Sequence, residues 1–367
     1  MRFGCSHVLA AFLLACATSV SAELQQTYPE QGVQTFLGLD DTSAPTQSQD
    51  GRAQSLQNIT LGVDRSIRKR FGIKVIGDSL DIPDEAFCAV EGGAYAKFSS
   101  GTERIVAICG NRFSYLNGTT YTRVSGPAFT AGANNQFVSA VALDKLIFTN
   151  NVNIPFQWGG GASEQTASVT FTGLTNSIQY AKAVAFFKNY LVFGNTTEAG
   201  TTYPTRIRWG NVGTINTWTN ADFNDIDSLG GQTLQSLVPL YDQLYAFFDR
   251  SIYRISLVGG SQTFQVARVS DDIGTLSKNS IQSITLGNGQ KGLIFLDRRK
   301  RVYFFDGTTA QDVSQLIRVT MDGLSGTQLQ YAVSDNTGTS YLLCAASSGK
   351  TANDLCVEFQ TQILEWT

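Results

Sequence analysis

Residues 234–256, "LQSLVPLYDQLYAFFDRSIYRIS", decide the fold of this chain. Three strand-like segments follow one another there: LQSLVPLY, LYAFFD and SIYRIS. Runs such as YAFF place apolar side chains on both faces of a strand, as expected where each face is covered. Segments so short and so close together must be joined by tight turns, which makes a meander.

The meander repeats. Counterparts of LYAFFD (244–249) are RIVAIC (104–109), KLIFTN (145–150), YLVFGN (190–195), GLIFLD (292–297) and YLLCAA (341–346). Their starts lie 41 to 54 residues apart, with a mean step of about 47, the spacing of propeller blades. Preceding strands read FVSAVALD, AKAVAFF, LQSLVPLY, IQSITLG and LQYAVSD. Following strands read RFSYLNG, PFQWGG, RIRWGN, SIYRIS, RVYFFDG and LCVEFQ, and a weaker fourth appears as TYTRVSG, ASVTFTG, FQVARVS and ILEWT. Four strands, six times over, predict an all-β chain with a six-bladed β-propeller at 85–367. Two β-sandwiches would not explain the regular step, and no long window has helical periodicity. The aromatics Trp158, Trp209, Tyr253, Phe305 and Phe359 fall in the third strands, where packing between blades is the expected role.

Composition narrows the function. The 42% hydrophobic content is enough for a large core. A net charge of −3 and a pI near 5.3 exclude a whole-protein polyanion binder. The single histidine, His7, lies in the first ten residues. Nucleophilic catalysis usually needs a histidine base, and zinc sites need His or clustered Cys. Carboxylate chemistry of the glycosidase kind survives this filter. The expectation is a chain with no catalytic centre and no cofactor.

Residues 23–84 precede the repeats and read as an N-terminal arm. Its apolar stretch LQNITLGV (56–63) is expected to act as a closing or docking strand at the edge of the last blade. A seventh blade would follow if 56–82 formed a hairpin of its own. The first 22 residues, "MRFGCSHVLAAFLLACATSVSA", have the layout of a secretory signal with cleavage after Ala22. Their apolar run is too short to span a bilayer. LLAC around Cys16 also resembles a lipoprotein box, and a misassigned start codon is a third reading.

Three stretches resemble a known family. SLQNITLGVDRSIRKRFG (55–72), TRIRWGNVGTINTWTNADFNDID (205–227) running into the meander at 234–256, and RRKRVYFFDGTTAQDVSQLI (298–317) are similar to segments of bacteriophage virion propellers. These are the packaged-DNA-stabilisation, neck and tail-tube proteins of short-tailed phages. The resemblance spans roughly 35–330 and is a pattern of turns and strands. Phe71 stands where the family pattern has proline. The resemblance implies a non-enzymatic part of a particle, located in the virion. Implied partners are other virion proteins or copies of itself as a homo-oligomer, with packaged DNA as a further contact and no membrane span. An export signal does not fit assembly in a host cytoplasm. The alternative is therefore an exported bacterial propeller, periplasmic or secreted, that binds a glycan, peptide or surface partner.

Candidate binding residues follow from charge. Arg65, Arg68, Lys69, Arg70 and Lys74 form one basic group, and Arg298, Arg299, Lys300 and Arg301 another. Basic turns facing a DNA channel would attract phosphates, whereas solvated hairpin tips would not. Asn220, Asp222 and Asn224 have the spacing of half a calcium loop, without its glycine or closing glutamate. Asp225 and Asp227 could pair as catalytic carboxylates, although nothing nearby supplies an apolar pocket. Asn58, Asn117 and Asn195 begin glycosylation sequons. Cys344 ends one strand and Cys356 begins the next. A hairpin centred near Lys350 would set them opposite one another, as a cross-strand disulfide in an exported protein or as two free thiols otherwise.

Overall fold

The stretch 234–256 forms three antiparallel strands, β17 to β19 in chain order, and a fourth completes their sheet. The computed structural model describes residues 36–69 and 90–367, apart from positions 45, 48, 50, 131, 133, 134, 229 and 261. Among the described residues six such sheets follow one another. Blade 1 is β5 (Val90–Lys97), β6 (Glu103–Cys109), β7 (Arg112–Asn117) and β8 (Thr120–Val124). Blade 2 is β9 (Val138–Ala142), β10 (Lys145–Thr149), β11 (Phe156–Trp158) and β12 (Ala167–Ser168). Blade 3 has the longest strands, β13 (Ile178–Phe187), β14 (Tyr190–Glu198), β15 (Thr201–Gly210) and β16 (Trp218–Asp225). Blade 4 is β17 (Leu234–Leu240), β18 (Gln243–Phe248), β19 (Ile252–Leu257) and β20 (Phe264–Ser270). Blade 5 is β21 (Gln282–Thr285), β22 (Lys291–Leu296), β23 (Val302–Phe305) and β24 (Ala310–Asp312). Blade 6 is β25 (Val333–Asn336), β26 (Ser340–Ala345), β27 (Leu355–Gln360) and β28 (Glu365–Trp366).

The first strands of all six blades line one central cavity, so the blades close into a ring. The chain is a six-bladed β-propeller. Its one α-helix among the described residues, Arg318–Asp322, lies in the loop before blade 6.

Side-chain alternation explains the doubly apolar strands. In β18, Leu244, Ala246 and Phe248 pack toward blade 3, while Tyr245 and Phe247 pack toward blade 5. Successive side chains point to opposite faces, and both faces of a blade are interfaces. Each fully buried phenylalanine there contributes about 2–3 kcal/mol by area. The third-strand aromatics sit where packing demands them. Trp158 joins blades 1 and 2, Trp209 and Tyr253 join blades 3 and 4, Phe305 joins 4 and 5, and Phe359 joins 5 and 6.

Five apolar clusters fill the five interfaces between consecutive blades. Among the described residues, none fills the interface between blade 6 and blade 1. Across the channel mouth, polar contacts from Gln136, just before blade 2, reach the segments that lead into blades 5 and 6. Its side chain donates to the carbonyl of Tyr331 (3.2 Å) and accepts from Asn279 (3.2 Å), and its carbonyl accepts from Lys278 (2.5 Å). The next residue, Phe137, donates its N–H to Glu91 on blade 1 (2.9 Å). A Cβ at Gly92 would stand 2.8 Å from Phe137, so this crossing needs glycine.

The arm differs from expectation in detail. β1 (Gly38–Leu39) pairs in parallel with β2 (Arg52–Ala53), and β3 (Ile59–Leu61) pairs with β4 (Ile67–Lys69). Among the described residues the 56–63 stretch therefore adds no strand to the last blade, which stays four-stranded, and β3 and β4 form a sheet of two strands; positions 70–82 of the expected hairpin lie outside the described residues. The cause is local. Asp64 accepts from the N–H (3.2 Å) and hydroxyl (2.6 Å) of Ser66, and Gly62 N–H reaches the Ser66 carbonyl (2.9 Å). That turn folds the strand back on itself. Docking is by side chains instead. Leu39 and Leu56 pack on the cluster between blades 5 and 6. Arg52 grips Glu365 (2.9 and 3.3 Å), and Thr60 accepts from Gln360 (2.9 Å).

Candidate functional site

Residues close before β9, β21 and β25, namely Gln136, Lys278 and Tyr331, meet at one mouth of the channel. The channel has a volume of about 860 Å³. At the mouth a side cavity of about 190 Å³ lies beside the Gln136 brace. Asn150, Lys182, Leu276, Lys278 and Tyr331 are among its walls, and the exposed Asn151 and Gln330 open it to solvent.

Two lysines meet in this cavity. Lys182 sits between Ala181 and Ala183 on β13, whose neighbours on either side pack into blade interfaces. Ala181 packs toward blade 2 and Ala183 toward blade 4, so the strict alternation breaks at Lys182, which lines the cavity. It donates to the Gln235 side chain on β17. Burial lowers its pKa, and Asp249 partly offsets this. Asp249 is itself held by Thr233 through the N–H (2.7 Å) and hydroxyl (3.2 Å). Lys278 precedes β21. It keeps some accessible surface because it faces the channel, yet protein surrounds it. Burial, and then the like charge of Lys182, bring its pKa down to about 7. Its one hydrogen bond goes to the Gln136 carbonyl.

Glu91, on the channel wall at blade 1, is 4% exposed. It accepts from Gly132 N–H (2.7 Å), its Oε2 has no hydrogen-bond partner among the described residues, and burial raises its pKa.

A second charged cluster lies on blade 3. Arg208 holds Glu198 with both ends of its guanidinium (2.9 and 2.8 Å), and Arg206 adds a third contact (3.2 Å). Arg206 also binds Asp225 in bidentate fashion (2.7 and 2.7 Å) and stacks over Tyr203 and Phe223. These charges satisfy one another.

The candidate residues read from the sequence are placed as follows. Arg65 approaches Glu365 (3.7 Å) and Arg68 pairs with Asp64 (3.3 Å), while Lys69 is exposed. Arg70 and Lys74, like the signal-like segment 1–22 and Phe71, lie outside the described residues. Arg299 is engaged by Asp272 (2.9 Å) and Asp297 (3.2 Å), and Arg301 by Asp322 (2.7 Å). Lys300 donates to the Asp322 carbonyl (2.9 Å), and Arg298 is exposed. Of the seven members among the described residues, five are thus engaged by carboxylates or carbonyls. Asn220 ties two loops through Thr175, Asp222 has its pKa raised by burial, and the Asp227 carbonyl accepts from Tyr253. Asp225, which neighbours them, is occupied by Arg206 and makes no pair with Asp227. Among the described residues no His, Cys, Asp and Glu group has the makings of a metal site. Cys344 and Cys356 stand opposite each other on β26 and β27 and form a disulfide, and Cys109 is disulfide-bonded as well.

Lys182, Lys278 and Glu91 were not singled out from sequence. One signal was present: a lone lysine inside the apolar first-strand run AKAVAFF.

No family model and no curated protein matches the sequence. Among solved structures, the computationally designed Ika8 protein aligns at 10% identity over 75% of this chain and 72% of that one, with a TM-score of 0.41. BamB from Moraxella catarrhalis aligns at 13% identity over 76% and 73%, with a TM-score of 0.40. The β-propeller domain of Cps50 (Swd1) from Myceliophteria thermophila aligns at 9% identity over 61% and 71%, with a TM-score of 0.39.

Proposed function

We propose that the chain is a non-enzymatic structural protein of a phage or phage-like particle, docking in the neck or tail to copies of itself or to other virion proteins. The observation that supports this reading is the arm. It is clamped to blade 6 by Arg52 and Glu365, yet its hairpin presents Val63 and Ile67 at 64% and 55% exposure. An anchored hairpin with a bare apolar tip is suited to meeting another protein. The resemblance of 55–72, 205–227 and 298–317 to virion propellers points the same way. A contact with packaged DNA would fall to Lys69 and Arg298, which carry no ion pair among the described residues. A rigid ring offers two faces and a rim to different partners.

A second reading is an exported propeller that binds a glycan, peptide or surface partner. The Cys344–Cys356 disulfide favours it, because such bonds persist in oxidising compartments. Mass spectrometry of purified particles and of periplasm tests both. The protein is expected in particles at a fixed ratio to other virion proteins. Its absence from particles, with a periplasmic form beginning at Glu23, would overturn the first reading and support the second.

A further inference from the structure

We infer that the side cavity at the channel mouth is a binding site for a compact oxyanion, a small ligand bearing a phosphate or carboxylate group, held between Lys182 and Lys278. The site does not depend on which particle or compartment the protein serves.

Charge balance makes the case. Lys182 and Lys278 come from blades 3 and 5 into one cavity of about 190 Å³. The charge that Lys278 feels there is the like charge of Lys182. Among the described residues, the carboxylate acting on the pair is Asp249, behind Lys182 and already bound by Thr233. Glu91 lines the channel but is turned to Gly132, and Tyr331 offers its backbone carbonyl to Gln136. Two ammonium groups therefore share an enclosed space with one carboxylate at its edge. Each ammonium has three N–H donors, and each uses one: Lys182 on Gln235, Lys278 on the Gln136 carbonyl. An oxyanion between them would accept the spare donors and remove the like-charge repulsion, the arrangement that gives strong charge-assisted hydrogen bonds.

The walls fit a small ligand. Gln136 spends its side chain bracing Asn279 and Tyr331, so it narrows the mouth, and its carbonyl takes one donor of Lys278. Leu276 and Val152 add apolar wall, and Asn150 is folded back on its own loop through Val152 and Asn153. The specificity is thus for charge and size.

The test titrates the full-length protein with sodium phosphate, and separately with sodium succinate, against sodium chloride at equal ionic strength near neutral pH. Calorimetry and the thermal midpoint are read together. Phosphate or succinate is expected to raise the midpoint. Lys278→Met and Lys182→Met should each weaken the bound anion about tenfold, the loss of one charge-assisted contact. Lys350→Ala, on an exposed hairpin turn, should leave the affinity unchanged. Binding should weaken as pH rises above 7 and Lys278 loses its proton. A readout on the unmutated protein guards against a folding defect: phosphate should slow acetylation of Lys182 and Lys278 by acetic anhydride, and leave the exposed Lys350 as reactive as before. No stabilisation of the wild type by either anion, or an effect that survives Lys278→Met, overturns the proposal.

Discussion

Replacing Lys278 by methionine should stabilise this protein at acid and neutral pH and not at high pH. Methionine keeps the length of the chain and removes the charge. The folded protein holds the Lys278 proton with a pKa of about 7, against 10.5 for an ordinary lysine. At about 1.4 kcal/mol per pH unit, keeping this ammonium inside the ring costs up to about 5 kcal/mol. Channel water returns part of its solvation, and the variant leaves the Gln136 carbonyl without its donor, worth about 1 kcal/mol. A net gain of about 2–3 kcal/mol is expected at pH 6. The sign follows from proton counts. Between about pH 7 and 10.5 the unfolded chain carries a proton on Lys278 that the folded protein has released. Wild-type stability therefore rises with pH across that window, and the penalty is fully present below it. The variant lacks this slope, so its advantage shrinks through the window and is gone above it. Urea unfolding of the disulfide-intact protein at pH 6 and at pH 9.5 measures this, followed by the fluorescence of Trp158, Trp209, Trp218 and Trp366, all buried. An advantage of equal size at both values, or a variant less stable at pH 6, refutes the reasoning.

Glu198→Gln should lower stability by about 3 kcal/mol, because it leaves Arg206 and Arg208 facing a neutral amide in a buried setting. A thermal midpoint within a degree of wild type would mean the cluster is already well solvated. Arg52→Ala removes the clamp on Glu365 and on the Leu37 carbonyl (2.7 Å). Limited proteolysis should then cut first within 36–69 while the tryptophan signal of the ring is unchanged; equal cleavage rates in both proteins would show the arm held by apolar contacts alone. Glu91→Gln should gain stability over wild type once the pH passes the raised Glu91 pKa. The folded protein retains that proton above pH 4.5, so wild-type stability falls as pH rises through the window, and the amide does not share the fall. Chemical denaturation at pH 4 and pH 7 checks the crossing.

How much was legible in the sequence depended on how local each signal was. A blade is a local object, since its strands lie within 50 residues and its interfaces need apolar side chains on both faces. Runs such as AFF at 246–248 and LIFL at 293–296 therefore announce themselves. The first strand of blade 1 was missed because Val90–Lys97 reads VEGGAYAK, with two glycines and two charges, and its Gly92 is there to let Phe137 pass close by. The arm misled for a related reason. Strand propensity at 56–63 was visible, but its partner was decided by the Asp64–Ser66 turn, a contact of a few residues that outcompetes pairing with a blade 300 residues away.

The charged sites show the limit from the other side. Arg299 and Arg301 look like a basic patch in a linear reading, and only the fold brings Asp272 and Asp322 to them. Lys182 and Lys278 stand 96 positions apart, and only the fold brings them into one cavity. Clustering in sequence thus overstated the first group and hid the second. The asymmetry has a physical basis. Surface charges can recruit counter-charges from any neighbouring turn at little cost. A charged side chain that a first strand sends to the channel can meet only the few groups that line it. In a ring of this kind, an isolated charge within an apolar first strand is therefore a better pointer to a site than a run of charges in a turn. Lys182, inside AKAVAFF, is the residue in this sequence that meets that description.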